Sequence, residues 1–315
     1  MEPDLAFAQR VATVLLYLSV AMLVGAGAAT LWLGRSTSPW AAGMLPRLRK
    51  AMLGCFAAAM ASYVAVLWLE AASMAEVPLA QAFPAVQSVI TATHYGYAWM
   101  LGAAALMVAW AATAVRPRAP ALGPGAGSVL RLAALALFLY SRSIVSHAGA
   151  AGDFTWAVAV DWVHLVLVSA WVGEVIVAGL IVLRGEPAAG QDNRVECARY
   201  VEALSTSATI ALVGIFITGI LGAWRGLGSP DQVFGNPYGT MLLIKVGLVL
   251  CAAALGGMNR FVVMPALLAR LRGTPLTGGA GTHKFALVLQ VEAVILLTVI
   301  VAAAVLSSTP PPTAS

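Results

Sequence analysis

Residues 161–175, DWVHLVLVSAWVGEV, place a histidine inside a stretch that is otherwise apolar enough to lie in a lipid bilayer. Asp161 stands three residues before His164 and Trp171 seven residues after it, so the three side chains share one helical face. Imidazole binds metal ions without adding charge, and a carboxylate often orients such a ring. His164 is therefore the first candidate metal ligand, with Asp161 as its positioning residue.

The elements that must position these residues are transmembrane helices. Hydrophobic residues make up 61% and charged residues 10% of the 315 residues, and the mean hydropathy is +0.89, which excludes a soluble domain. Backbone groups in lipid must be satisfied within the segment, which favours helices over strands. We predict an all-α, polytopic fold in one integral membrane domain, 1–315. Its eight helices fall at about 11–33, 51–73, 97–115, 129–146, 156–183, 203–224, 240–262 and 284–306.

Basic residues predict the orientation of the chain. They are concentrated in alternate loops, at 34–50, at 116–131 (which includes Arg116 and Arg118), at 184–202 and at 260–284. The positive-inside rule places these loops in the cytoplasm and both termini in the periplasm. The excess of positive charge is thus explained by topology rather than by nucleic-acid binding. The terminal PPPTAS is expected to be disordered.

A short repeat suggests an internal duplication. HYG at 94–96 opens the third predicted helix, and PYG at 237–239 opens the seventh. Two four-helix halves would explain this similarity, and chance would explain it equally well.

Three of the four histidines lie towards the predicted periplasmic side, on three different helices. His94 begins the third helix, His147 ends the fourth, and His164 lies about 12 Å into the fifth at 1.5 Å per residue. Facing helices can bring such side chains to one ion, so we predict a metal site at His94, His147 and His164. The alternative for His94 and His147 is contact with lipid headgroups.

Methionines supply a second class of ligand on the same side. Met74, Met100 and Met241 lie near helix ends, and their thioethers prefer Cu(I). Packing is the alternative for each of them, and Glu70 is a similar secondary candidate.

Other ionisable residues lie deeper in the predicted helices. Glu174, Lys245 and Glu292 suggest a translocation path, with an interhelical ion pair as the alternative. Arg142 is expected to extend its guanidinium to the interface.

These residues stand in motifs that resemble the bacterial copper resistance D (CopD) family. The matching segments are DWVHL at 161–165 with WVG at 171–173, SHA at 146–148, THYG at 93–96 with Trp99, PYG at 237–239 through Lys245, NRF at 259–261 with Pro265, and Glu292 with the terminal prolines. Two positions depart from the pattern. Glu174 stands where the family has a second glycine, and histidine is rare at position 94.

The resemblance implies an eight-helix protein of the bacterial inner membrane that moves copper from periplasm to cytoplasm, with His147 and His164 handling the metal. It also implies a periplasmic copper-binding partner of the copper resistance C type. The family's fold is similar to that of membrane cytochromes, so a b-type haem protein with His164 as axial ligand is the alternative. Phosphate-loop, HExxH and GxSxG motifs are absent, and we expect no enzymatic activity. A ligand-free scaffold would leave His164 unexplained.

Overall fold

The computed structural model describes residues 3–115, 125–185, 187, 190–273, 281–307 and 309, and within these the chain is helical with no strands. The all-α prediction is therefore confirmed for this part of the chain. The α-helices are α1 Pro3–Leu33, α2 Pro39–Met74, α3 Phe83–Ala92, α4 His94–Ala114, α5 Ala126–Ser143, α6 Trp156–Val177, α7 Gln191–Leu227, α8 Pro237–Met258, α9 Met264–Leu271 and α10 Thr282–Ser307. Three 3-10 turns, Leu79–Gln81, His147–Ala151 and Pro230–Val233, lie between them.

Seven helical stretches in the described residues are long and apolar enough to cross a membrane. They correspond to seven of the eight predicted segments. The remaining predicted segment, the fourth in chain order, corresponds to α5. This helix has 18 residues, and its Arg131 and Arg142 lower its hydropathy. The coarser prediction of a polytopic helical protein is met, while the count of eight spans stays a prediction.

Several helices extend beyond the apolar runs that predicted them. Helix α2 begins at Pro39 rather than near 51, and α7 begins at Gln191 rather than near 203. Helix α8 continues through a π-helical turn into α9 and ends at Leu271 rather than near 262. The reason is that hydropathy marks only the part of a helix that lies in lipid, whereas charged residues continue a helix into water. The basic loops are thus partly helical, and Arg116 and Arg118 lie outside the described residues.

Helix α1 lies at the centre and packs most extensively against α2 and α6. The crossing with α6 is close because glycines face each other there. A Cβ atom on Gly173 would overlap the backbone carbonyl of Ala21, and one on Gly25 would overlap the backbone of Gly173. This crossing fixes the position of α6 relative to α1, and α6 is the helix that carries His164, Trp171 and Glu174.

The two segments of the short repeat have the same local structure. The side chain of Thr93 accepts a hydrogen bond from the Gly96 N–H at 3.0 Å, and that of Asn236 accepts one from the Gly239 N–H at 2.8 Å. Each glycine also packs against a carbonyl of the preceding short helix. The similarity is local, and the duplication into two halves stays a prediction.

Candidate metal-binding and translocation site

The ring of His164 is held by α7. Its Nδ1 lies 2.8 Å from Thr218 Oγ1, and Thr218 Oγ1 lies 2.7 Å from the carbonyl oxygen of Gly214. A threonine hydroxyl has one hydrogen, and here it is donated to Gly214. The hydroxyl must then accept from His164, so Nδ1 carries the imidazole proton.

This tautomer leaves Nε2 of His164 with its lone pair. Nε2 makes no hydrogen bond to any residue that the structure describes. On the neighbouring helix, Gly219 faces Cε1 of the ring, where a Cβ atom would lie 3.6 Å away. Nδ1–H bonded to a protein oxygen, with Nε2 free, is the arrangement in which histidine ligates metals. The Nε2 lone pair of His164 is therefore available to coordinate a metal ion.

Asp161 has a different partner from the one predicted. Its Oδ2 accepts hydrogen bonds from the hydroxyls of Ser143 at 2.7 Å and Ser146 at 3.1 Å. Asp161 thereby joins the start of α6 to the turn that precedes His147. The orientation of the His164 ring comes from Thr218, a residue that the sequence does not single out, since threonine commonly bonds to its own helix.

Lys245, on α8, is half-buried and lies within electrostatic range of both Asp161 and His164. The ammonium group is attracted by the carboxylate and opposes a second positive charge on or near the imidazole. A cation that approaches His164 must therefore overcome or displace the charge of Lys245.

The other two histidines are at the surface of the same end of the bundle. His94 begins α4, and its Nε2 lies 2.9 and 3.1 Å from the two carboxylate oxygens of Asp153. His147 begins a 3-10 turn and is exposed. No three His, Cys, Asp or Glu side chains in the described chain are grouped closely enough to hold a metal ion. This conformation thus brings the three histidines to one end without joining them.

The secondary candidates also lie towards this end. Met74 and Met100 are exposed, with 55% and 46% of their surface accessible, and Met241 is half-buried. Glu70 accepts a hydrogen bond from Gln9, which ties α2 to α1. Exposed thioethers at the mouth of a bundle are accessible to a soft metal ion.

Two buried carboxylates lie deeper. Glu174 is 3% exposed; its Oε1 accepts from Ser207 on α7 at 2.8 Å, while Oε2 has no partner in the described chain. Glu292, on α10, is 2% exposed and accepts from Trp171 Nε1 at 3.1 Å. Trp171 stands one helical turn before Glu174 on α6, so this helix connects the two carboxylates.

One π-helical turn follows Glu174 in the chain, and a second follows α8, whose Gly256 faces the carboxylate of Glu292. The turn Ala178–Val182 follows Glu174, and Gln290 of α10 donates to the carbonyl of Gly179 within it at 2.9 Å. The turn Asn259–Val263 begins with the buried Asn259, whose Oδ1 has no partner in the described residues. π-helical turns of this kind recur at functional sites because they free backbone groups and redirect side chains.

Arg142 points inward rather than to the interface as expected. Its guanidinium carbon lies 5.9 Å from the centre of the Tyr63 ring, and the charge is close to Tyr17 and Tyr95. A cation over an aromatic face is attracted by the ring quadrupole, which offsets part of the cost of burial. No sequence pattern signals this cluster, because its tyrosines come from three separate helices.

Comparisons with known proteins agree with the resemblance. The family described as "Copper resistance protein D" matches residues 198–306, and "Copper resistance protein D-like, N-terminal domain" matches residues 4–156. The chain is 24% identical to "Copper resistance protein D" of Pseudomonas syringae pv. tomato over 306 residues, 94% of each protein. It is 28% identical to "Copper transport protein CutJ" of Bacillus subtilis (strain 168) over 121 residues, 38% of this chain and 22% of that protein.

No solved structure matches the chain significantly. The haem alternative gains no support from these relatives, whose names concern copper.

Proposed function

Because the chain belongs to the copper resistance protein D family, we propose that it transports copper across the bacterial inner membrane. The observation that carries the proposal is the free Nε2 of His164, whose tautomer is set by Thr218 about two helical turns inside α6. A neutral imidazole at this depth binds a metal ion without adding charge to the membrane interior. Transport changes no covalent bond, and we assign no enzymatic activity.

The proposed topology has eight spans, with both termini in the periplasm and α5 as the fourth span. Helix α5 has 18 residues, about 27 Å at 1.5 Å per residue, which nearly matches the hydrocarbon thickness. It lies antiparallel to α4, since the contact between His94 and Asp153 joins the start of α4 to the segment after α5. Its two arginines are paired with hydroxyls or aromatic rings rather than exposed to lipid.

Copper capture is proposed at the periplasmic end. His94 and His147, with the thioethers of Met74, Met100 and Met241, would receive the ion at the surface and transfer it to His164. A periplasmic protein of the copper resistance C type is the proposed donor. His94 would bind the ion through Nδ1 while its Nε2 stays on Asp153, because a carboxylate on the second ring nitrogen commonly orients a metal-binding histidine.

The path inward is proposed to follow α6. Lys245 stands beside His164, and the ion would next meet the polar groups around Glu292 and Glu174. Each carboxylate has lone pairs that its single hydrogen bond leaves unused. Asp161 and Glu70 would act indirectly, by holding the helices that carry the ligands.

The direct test is copper uptake by the purified chain in proteoliposomes that contain a copper-sensitive dye. His164→Ala should lower the initial rate at least about tenfold, because it removes the ligand that the fold orients. His283→Ala, an exposed histidine at the opposite end of the bundle, is the matched control and should leave the rate unchanged. Equal uptake by wild type and His164→Ala would refute the proposal.

A further inference from the structure

A cleft of about 530 Å³ opens at the end of the bundle opposite the candidate metal site. It lies between the end of α1, the first turn of α5 and the second to fourth helical turns of α7. The transport proposal makes no use of it. Its volume is in the range of small-ligand sites. Its main lining residues are Trp32, Arg35, Ser36, Glu196, Arg199 and Tyr200.

The rim of the cleft carries two guanidinium groups with free donors. Arg35 is exposed and makes no hydrogen bond or ion pair within the described chain. The side chain of Arg199 is 71% exposed, and its nearest nitrogen lies 3.6 Å from Glu196, which is too long for a hydrogen bond. Glu196 is largely covered, with 13% of its side chain exposed, so the accessible charge of the rim is positive.

A third arginine, buried next to residues that line the cleft, adds to the positive charge of the cleft. Arg131 is 5% exposed and donates to the hydroxyls of Thr30 at 2.6 Å and Ser128 at 3.0 Å, with no carboxylate partner in the described residues. Thr30 adjoins Leu31, and Arg131 stands two residues from Val129; Leu31 and Val129 both line the cleft. A buried charge paired only with neutral groups raises the positive potential nearby.

The floor of the cleft is aromatic. Tyr200 is 2% exposed and packs edge-on against Trp32, with ring centroids 5.8 Å apart. Tyrosine and tryptophan occupy the level of lipid headgroups in membrane proteins, where one side is apolar and the other wet. A cationic rim above an apolar floor fits a phosphate group that is attached to an apolar body.

We propose that this cleft binds a phosphate group, and that in the membrane the ligand is the headgroup of an anionic phospholipid. Arginine is suited to this role because its planar group donates two parallel hydrogen bonds to phosphate oxygens. The basic end of the bundle is the predicted cytoplasmic end, where anionic lipid would be met. The proposal does not depend on copper transport.

Native mass spectrometry of the detergent-purified full chain tests the proposal. Phosphatidylglycerol, phosphatidylcholine and inorganic phosphate are titrated separately. Wild type should retain one phosphatidylglycerol in preference to phosphatidylcholine. Arg35→Gln/Arg199→Gln should weaken that binding about thirtyfold, from the loss of two charges at the membrane surface.

The matched control is Arg47→Gln/Lys50→Gln, which removes the same charge from exposed positions on α2 outside the cleft. It should bind as wild type does. Arg35→Lys/Arg199→Lys keeps the charge but loses the paired donors, so its binding should lie between those of wild type and the Gln variant, which separates ligand loss from misfolding. Binding of inorganic phosphate but not of lipid, lost in the Gln variant, would assign the site to a free phosphate. Equal lipid binding by wild type and both Gln variants would overturn the proposal.

Discussion

At the scale of single residues, the state of His164 is decided by one hydroxyl. Because Thr218 donates to Gly214, it accepts from Nδ1 and leaves the lone pair of Nε2 free for the proposed copper ion. Thr218→Val keeps the shape but removes the acceptor, so both tautomers become available and the ring loses its anchor. We expect copper affinity to fall about tenfold, measured by competition with a chelator.

Helix α7 offers a matched control for this substitution. Thr206 is exposed and makes the same bond to its own helix, to the carbonyl of Glu202 at 2.9 Å, but touches no imidazole. Thr206→Val should bind copper as wild type does. If Thr218→Val also keeps full affinity, the hydroxyl does not prepare the ligand.

Removal of the Lys245 charge should have the opposite effect on copper affinity. This charge opposes a cation at His164, so Lys245→Met should tighten copper binding, by about fivefold for like charges that are partly screened. The same chelator competition measures the change. Lys284→Met removes an exposed lysine at the other end of the bundle and should change nothing. Weaker binding by Lys245→Met would show that the lysine supports the site instead of opposing the ion.

At the scale of helices, the position of the site depends on how closely α6 approaches α1. A methyl group on Gly173 has no space because the Ala21 carbonyl occupies it. Gly173→Ala should therefore separate the two helices and lower the free energy of unfolding by about 3 kcal/mol.

Thermal unfolding in detergent measures this effect, and Gly222 supplies the comparison. Gly222 lies within α7, and a Cβ atom there would meet nothing within 4 Å. Gly222→Ala should be neutral or stabilising, since alanine is the better helix former. Equal melting temperatures for both variants would mean that the close crossing does not limit stability.

The same scale shows what the sequence could and could not predict. Apolar runs located the long helices, and their order placed His94, His147 and His164 at one end, as the structure has them. Periodicity does not show which helices face each other. The contacts of His164 with Thr218 and of Glu292 with Trp171 could therefore not be predicted from the sequence. Uniformly apolar helices carry no marked polar face that would orient them.

Arg142 illustrates a second limit of sequence reasoning. Long basic side chains near helix ends usually extend to the interface, and that rule holds when nothing closer satisfies the charge. Here Tyr63 supplies a ring face inside the bundle. The outcome depends on tertiary neighbours that no local pattern contains.

At the scale of the whole molecule, the two ends of the bundle differ in charge. Among the described residues, the end that holds the cleft carries the following basic residues: Arg35, Arg47, Arg49, Lys50, Arg131, Arg184, Arg194, Arg199, Arg260, Arg270, Arg272 and Lys284. The other end carries Arg10, Arg142, Arg225 and Lys245, of which Arg142 and Lys245 are half-buried. This asymmetry predicts that the end with the cleft is cytoplasmic, because cytoplasmic segments retain Lys and Arg.

Single cysteines on the two ends test this orientation in a variant whose three native cysteines are alanine. Thr37→Cys lies between α1 and α2, and Gln232→Cys between α7 and α8; both positions are exposed. In intact spheroplasts a membrane-impermeant maleimide should label Gln232→Cys, and Thr37→Cys should react only after permeabilisation. The reverse pattern would place His164 near the cytoplasm, so the same residues would release copper rather than capture it. Labelling of both cysteines in intact spheroplasts would mean that an even number of spans separates positions 37 and 232. The proposed topology has five spans between these positions, so one of the proposed eight helices would not cross the membrane.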